Sequence, residues 1–335
     1  MRSITALFFL AVVVTALFKF AAGWDLSSHK FSPSLLWSGM EDVVSLIQKE
    51  LAKGWRSLVK NVYRQPYLYV AMSLTLALEL YIPARPRQKL FSVSLFNDYL
   101  WFISNSVLKW SLIAALYNYL NYSYDTYLAG LTIQTIALWP TPLRVVISLL
   151  VFDLALWIGH WLRHKVRWFW YFHLIHHSQK DLNFFTEDRF HIAEGIMSLV
   201  VRFIPMRMVG MGFQEIFILT LVMEWYTRVY HANLKTNYGF LKYFLVTPQA
   251  HRIHHSVQPQ HWGKNLGTYF IFWDRLFGTH YPHYDEYPET GIPDEAFPCE
   301  ISANPAVFMR TYFLQFIYPF RLCFRNDCES PKEAS

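Results

Sequence analysis

Fourteen histidines stand in this sequence, and most of them are grouped. His160 and His164 form an HxxxH pair, His173, His176 and His177 an HxxHH run, and His251, His254 and His255 a second HxxHH run, with His191 and His231 between them. On a helix, positions i, i+3 and i+4 share one face, so each group aims two or three imidazoles at one point. Neutral imidazole suits iron, zinc, copper and nickel. Eight grouped histidines exceed the four-coordinate demand of one structural zinc, so the spacing predicts a dinuclear site. Soluble di-iron bundles use carboxylates with a Glu-x-x-His motif, and a nearly all-histidine set argues against that class. The isolated His29, His280 and His283 read as packed or surface groups, and His261 reads either way.

Carboxylates near these groups invite an orienting role. Asp153 precedes His160 by seven residues, two helical turns, and is expected to accept the second N–H of a ligand histidine. Glu194 has two readings: the same role, or an ion pair to Arg189 or Arg202. Asp274, within Trp273 to Thr279, is expected to hold a turn through Arg275 or Thr279.

The elements carrying these residues are apolar. Of 335 residues, 53% are hydrophobic, 19% aromatic and only 16% charged, more apolar than a soluble domain needs. Runs at Ile4 to Ala22, Tyr67 to Ile82, Phe96 to Leu120 and Leu143 to Ile158 approach the roughly 20 residues of a membrane span. Lys19, Glu79 and Lys109 interrupt the first three, which reads as interior or snorkelling charge. The first run is read as an uncleaved helix because it is long, with a signal peptide ending near Ala21-Ala22-Gly23 as the alternative. Glu41 to Arg64 alternates apolar and basic residues at helical spacing, as an interfacial helix does.

Arg85, Arg87 and Lys89 after the second run place that loop in the cytosol by the positive-inside rule, and two further crossings return His160 to His177 to the cytosolic side. The apolar stretch from Gly195 to Tyr230, broken by Arg202, Pro205, Arg207, Gly210 and Gly212, reads as two short helices that dip into the membrane. The division expected is 1–65 for the first span and interfacial helix, 66–142 for further spans, 143–280 for the histidine-bearing domain, and 281–335 for a cap and tail, with Val307 to Leu322 an interfacial helix.

Several classes fit less well. A net charge of +6 fits retained basic loops or an anionic membrane surface, and no nucleic-acid module is present. Cys299, Cys323 and Cys328 form neither a disulfide framework nor a zinc ribbon. A haem cytochrome would hold its cofactor between single histidines on separate helices, and a metal transporter would string ligands along the membrane midplane. These histidines bunch at one end of an apolar run instead.

The pattern resembles the fatty acid hydroxylase and sterol desaturase superfamily, in which HxxxH, HxxHH and, after a helical hairpin, HxxHH follow in order. The resemblance runs from about Asp153 to Thr279 and includes Phe172 to Ser178, Arg189-Phe190-His191 with Glu194, His231-Ala232-Asn233, Pro248 to Ser256, Asn265, Gly267 and Trp273 to Thr279. Arg167 and Ile192 stand where relatives often carry proline, and Gly263 and Leu266 replace the usual acidic and aromatic residues. The Trp273 to Thr279 ending points to the sterol-desaturase-like and alkylglycerol-monooxygenase-like branches.

The resemblance implies an all-α integral membrane helical bundle with a cytosolic, histidine-lined di-metal cap. The ligands implied are the grouped histidines with His231 and His191, and the outer residues behind them are Asp153, Glu194 and Asn265. The cofactors implied are two iron ions (Fe2+) with O2 as co-substrate, and the reaction is hydroxylation, or alternatively desaturation, of a lipid drawn from the bilayer. Neither a His-Pro-Gly-Gly motif nor a dinucleotide fingerprint is present, so reduction requires an external donor. By resemblance that donor is of cytochrome b5 type in the endoplasmic reticulum of a eukaryote, or a ferredoxin at a bacterial inner membrane. A zinc hydrolase or metal transporter is the more distant alternative.

Overall fold

The computed structural model describes residues 66–108, 114–211 and 223–324. Helix α1 is Pro66–Tyr81, α2 Val93–Leu108, α3 Ala114–Ser123, α4 Thr141–Lys165 and α5 Arg167–His177. After a loop come α6 Ile192–Met208, the helical residues 223–231, α7 Pro248–His254, α8 Phe272–Phe277 and α9 Pro305–Cys323. Among the described residues strand pairing is limited to isolated bridges, one of which joins Leu245 to Phe270. The all-helical expectation is met. The runs Ile4 to Ala22 and Glu41 to Arg64, with His29, lie outside the described residues.

Among the described residues one helix, Pro142–Lys165, is long and apolar enough to cross a membrane, and Val70–Tyr81 is a shorter apolar helix. Leucine, valine and isoleucine fill α4, with Pro142 in its first turn, where proline sacrifices no helical hydrogen bond. Its exposed positions include Leu143, Val145 and Val146, each more than half exposed, so apolar side chains face outward as well as inward. Of the run Phe96 to Leu120, α2 up to Leu108 and α3 from Ala114 are described, and residues 109–113 lie outside the described residues. From the expected hairpin, α6 is described, with Pro205 inside it, and so are 223–231. The terminal helix expected over Val307 to Leu322 is α9, capped by the Asn304 side chain on Ala306 and Val307.

Two apolar layers flank the histidines. Phe152 of α4, Leu199, Phe203 and Met206 of α6, Tyr117 of α3 and Tyr124 form one buried cluster. Trp101 of α2, Trp170, Tyr171, Leu174 and Ile175 of α5, and Tyr318 and Leu322 of α9 form the other. Burial of such side chains contributes about 1.5–3 kcal/mol each. A fully buried carboxylate, Asp98, then ties the loop after α5 to α2. It accepts from Gln179 Nε2 (2.6 Å), Asn183 Nδ2 (2.8 Å), Thr186 Oγ1 (2.9 Å) and Arg189 Nη1 (2.9 Å). Arg189 is balanced a second time by Glu300 at 2.5 Å, so the buried charges are paired and hydrogen-bonded, as burial demands.

Candidate metal centre

Nine histidines, all buried, converge into two groups. His160, His164, His173, His177 and His254 form one, and His176, His231, His251 and His255 the other; within each, one ring nitrogen per residue lies within 4.8 Å of all the rest. The two groups adjoin, with the His177 and His255 rings stacked at 4.4 Å between centroids.

Helical geometry explains the partition and amends the expectation that each run aims at a single point. Positions i and i+4 differ by about 40° around the axis, whereas i+3 and i+4 diverge by about 100°. In α5 the i, i+4 pair His173 and His177 therefore joins the first group, and His176 turns to the second. In α7 the assignment reverses: His251 and His255 join the second group, and His254 crosses to the first. His160 and His164, one turn apart at the end of α4, complete the first set, and His231 completes the second.

The outer hydrogen bonds fix which nitrogen faces inward. A carbonyl can only accept, so a ring nitrogen bonded to one carries the proton, and the other nitrogen of a neutral imidazole presents a lone pair. His160 Nδ1 donates to Leu266 O (2.8 Å), His254 Nδ1 to Lys264 O (2.9 Å) and His231 Nδ1 to Thr227 O (2.7 Å). His173 Nδ1 donates to the Glu194 carboxylate at 3.0 Å. The inward Nε2 atoms of His160 and His254 are buried without a hydrogen-bond partner. In the second group His251 Nε2 lies 2.7 Å from His231 Nε2 and 3.0 Å from His255 Nε2. Converging lone pairs with buried nitrogens left unpaired are what a bound cation relieves, so the donor set fits a metal in each group.

Burial reinforces this. It pushes His173, His176, His177, His251 and His255 well below the ordinary imidazole range, helped by neighbouring histidines, and holds His254 at about 4. The rings are therefore neutral, the form that binds metal. Because imidazole brings no negative charge, a cation held here keeps its full charge and acts as a strong Lewis acid.

The outer scaffold is built largely from backbone. The segment from Lys264 to Leu266 lends its carbonyls to two histidines from different runs. Asp274 holds that segment: it accepts from Leu266 N (2.8 Å), Gly267 N (2.9 Å), Trp157 Nε1 (3.1 Å) and Thr279 Oγ1 (2.6 Å). Burial raises the Asp274 carboxyl, and these four donors oppose the rise by favouring the ionised form. Gly267 is required by space, since a Cβ there would lie 2.8 Å from Asp274 Oδ2 and 2.9 Å from Phe270 O. The expected turn role of Asp274 thus runs through Thr279, while Arg275 turns to Tyr284.

Four expectations need amendment. Asp153 reaches no histidine: its oxygens accept from Tyr269 N, Phe270 N and Trp273 Nε1, all about 3 Å away, so it closes a distant turn. Asn265 also touches no ligand; in the left-handed conformation (φ 53°) it donates to Ala250 O in α7 and accepts from Tyr281 N. His191 is absent from both groups, because it caps α6, accepting Ala193 N on Nδ1, with its ring between Phe316 and Phe320. Glu194 does orient a histidine, His173, but its ion-pair partner is Arg163 at 3.2 Å rather than Arg189 or Arg202. His261, His280 and His283 lie in neither group. Arg163, Glu187, which lies 3.3 Å from His231 Nδ1, and the carbonyls of Thr227, Lys264 and Leu266 were not singled out by sequence.

Residues 145–279 match the family model described as fatty acid hydroxylase. This segment is a fatty acid hydroxylase domain. Across 155 residues the chain is 29% identical to an ornithine lipid hydroxylase of Rhizobium tropici, covering 46% of this chain and 47% of that protein. An alkylglycerol monooxygenase of Caenorhabditis elegans is 32% identical over 42% of this chain and 28% of its own length. Human cholesterol 25-hydroxylase is 26% identical over 41% of this chain and 50% of its own. The matches thus span half or less of these relatives. No solved structure matches. Within the domain, Arg167 and Ile192 occupy the first positions of α5 and α6, where proline would only preset φ, so their departure from the family pattern leaves both helices intact.

Proposed function

We propose that this chain is a membrane-bound, O2-dependent oxidoreductase that hydroxylates a C–H bond of a lipid. The observation that carries the reading is the pair of buried histidine groups, each converging one ring nitrogen per residue to within 4.8 Å of the others. His160, His164, His173, His177 and His254 would hold one iron and His176, His231, His251 and His255 the other. Bound there, the irons would supply the O2 activation and reduction chemistry that attack on an unactivated C–H bond needs.

The chain's own residues position and insulate. The carbonyls of Leu266, Lys264 and Thr227 and the Glu194 carboxylate hold four rings by their outer N–H, which fixes tautomer and orientation. Aromatic side chains, Trp170 beside His164 and His177 and Tyr230 beside His251, exclude water from the rings. In this reading α4 crosses the membrane and carries His160 and His164 at its cytosolic end, so an acyl or isoprenoid chain reaches the centre from the bilayer. Electrons come from a separate carrier of cytochrome b5 or ferredoxin type. The names of the relatives support a lipid substrate.

Metal content of detergent-purified protein tests the proposal, with Mössbauer spectra of an iron-57 sample. Two coupled irons per chain, and a labelled alcohol formed from lipid under 18O2 with a reductant, are expected. Tightly held zinc after iron-replete growth would overturn the oxygenase reading. An unlabelled alkene would assign desaturation in place of hydroxylation.

A further inference from the structure

The segment Gly239–Tyr243, together with Phe244, makes an unusual outward face. Tyr238 and Gly239 both take left-handed backbone (φ 56° and 58°), turning the chain so that Phe240 is 71% exposed, Leu241 49% and Phe244 51%. These are large apolar side chains in a short stretch, and two of them, Phe240 and Phe244, pack on each other at 5.3 Å between centroids. The bridge between Leu245 and Phe270, with Ile271 N donating to Phe244 O, sets this segment beside α8. There Leu276 is 67% and Phe277 49% exposed. Phe277 stacks on Trp157 of α4 at 4.4 Å, one turn before His160. The patch is therefore continuous with the end of the one described helix that is long enough to cross a membrane.

Its rim is cationic. Lys242 Nζ lies 4.6 Å from the centre of the Tyr284 ring, and Arg275 donates to Tyr284 Oη at 3.3 Å while its guanidinium sits 5.8 Å from the Tyr243 ring. Neither cation has a carboxylate partner among the described residues. Exposed phenylalanine and leucine edged by unneutralised Lys and Arg held on tyrosines is the composition of a surface that sits at a bilayer's headgroup level.

We propose that residues 239–244 and α8 form a membrane-docking face: Phe240, Leu241, Phe244 and Leu276 enter the headgroup–acyl boundary, and Lys242 and Arg275 meet anionic lipid phosphates. The proposal rests on α4 as a membrane helix and not on the oxygenase chemistry. It fixes the histidine domain's tilt on the bilayer at a second point, beside the end of α4.

The full chain, reconstituted in phosphatidylcholine–phosphatidylglycerol vesicles, tests this. In a background with Cys299, Cys323 and Cys328 replaced by serine, Phe240→Cys or Leu276→Cys carries a bimane label, and Glu295→Cys, an exposed position, serves as reference. Strong quenching by lipids brominated near the top of the acyl chain, with little quenching by aqueous iodide, is expected at 240 and 276, and the reverse at 295. In the Lys242→Gln/Arg275→Gln variant, the excess quenching seen in anionic over neutral vesicles is expected to be lost. Iodide quenching at 240 equal to that at 295 overturns the proposal, as does shielding from both quenchers, which would mean that another segment covers the face. The unaltered chain gives a second reading with a photoactivatable phospholipid. Cross-links at 240–244 and 276–277 are expected, and cross-links confined to α4 overturn the proposal whatever the folding of the cysteine variants. Metal content is unaffected by either result, so the oxygenase reading stands or falls separately.

Discussion

Replacing Asp274 by asparagine tests whether the backbone clamp, rather than the histidines alone, builds the centre. Its Oδ1 accepts three donors, Leu266 N, Trp157 Nε1 and Thr279 Oγ1, and its Oδ2 accepts one, Gly267 N. The amide nitrogen of asparagine can replace Oδ2, losing one bond and facing Gly267 N with a second donor, or replace Oδ1 and lose three. The first is milder. A bond to a charged acceptor contributes about 1.5–3 kcal/mol and a stranded buried donor costs about 1–3 kcal/mol, so Asp274→Asn should destabilise by roughly 3–6 kcal/mol. At about 2–4 °C per kcal/mol for a domain of this size, the metal-free protein should melt roughly 6–24 °C lower, followed by near-UV circular dichroism in detergent at one scan rate. Metal affinity should fall about 10- to 100-fold, because the Leu266 carbonyl that orients His160 is no longer held. His160→Ala is the comparison, expected to lose metal with a smaller drop in metal-free melting, since it strands one acceptor, the Leu266 carbonyl, and leaves the Asp274 clamp intact. If Asp274→Asn melted within about 2 °C of the parent and held metal equally well, the reasoning would be wrong.

Three further outcomes are expected. Glu194→Gln should weaken metal binding about 10- to 100-fold in a chelator competition, since a neutral amide is a poorer acceptor for His173 Nδ1 and abandons Arg163. His191→Ala should cost about 0.5–2 kcal/mol through loss of the α6 cap, with His191→Asn near neutral, and metal stoichiometry should not change in either; loss of a metal would restore His191 to the ligand set. Acid should destabilise the metal-free domain: His254 titrates at about 4 in the fold, below its ordinary value near 6.5, and the other buried ligands are lowered too. The unfolded chain then takes up protons first as pH falls. The contribution is therefore complete above about 6.5 and lost as pH drops through about 4, which unfolding midpoints measured from pH 7 downwards would show as a falling slope.

Of the nine converging histidines, His231 entered through the family resemblance, and the other eight were legible because helical spacing within short runs is a local property, visible without knowing the fold. Their division between two groups was not, because it depends on where the neighbouring helices lie around each axis. Asp153 misled for a related reason: it does share a face with His160, but the turn at 269–273 occupies that face first. The carbonyls of Thr227, Lys264 and Leu266 carry no side-chain signature and could not have been chosen from residue types. Asp98 and Arg189 are 91 residues apart, and only the folded chain shows that their charges meet. The all-helical class came from the family resemblance, carried by the three histidine runs in order.

The Leu266 carbonyl lies 106 residues downstream of the histidine it orients. At roughly 5–20 residues per second, a ribosome makes those residues in roughly 5–20 s. When His160 is made at the end of α4, the Lys264–Leu266 clamp and the three ligands of the His251 to His255 run are still unmade. Assembly of the centre must therefore await this late part of the chain, and a truncated chain ending before residue 248 would carry its first two histidine runs without the third.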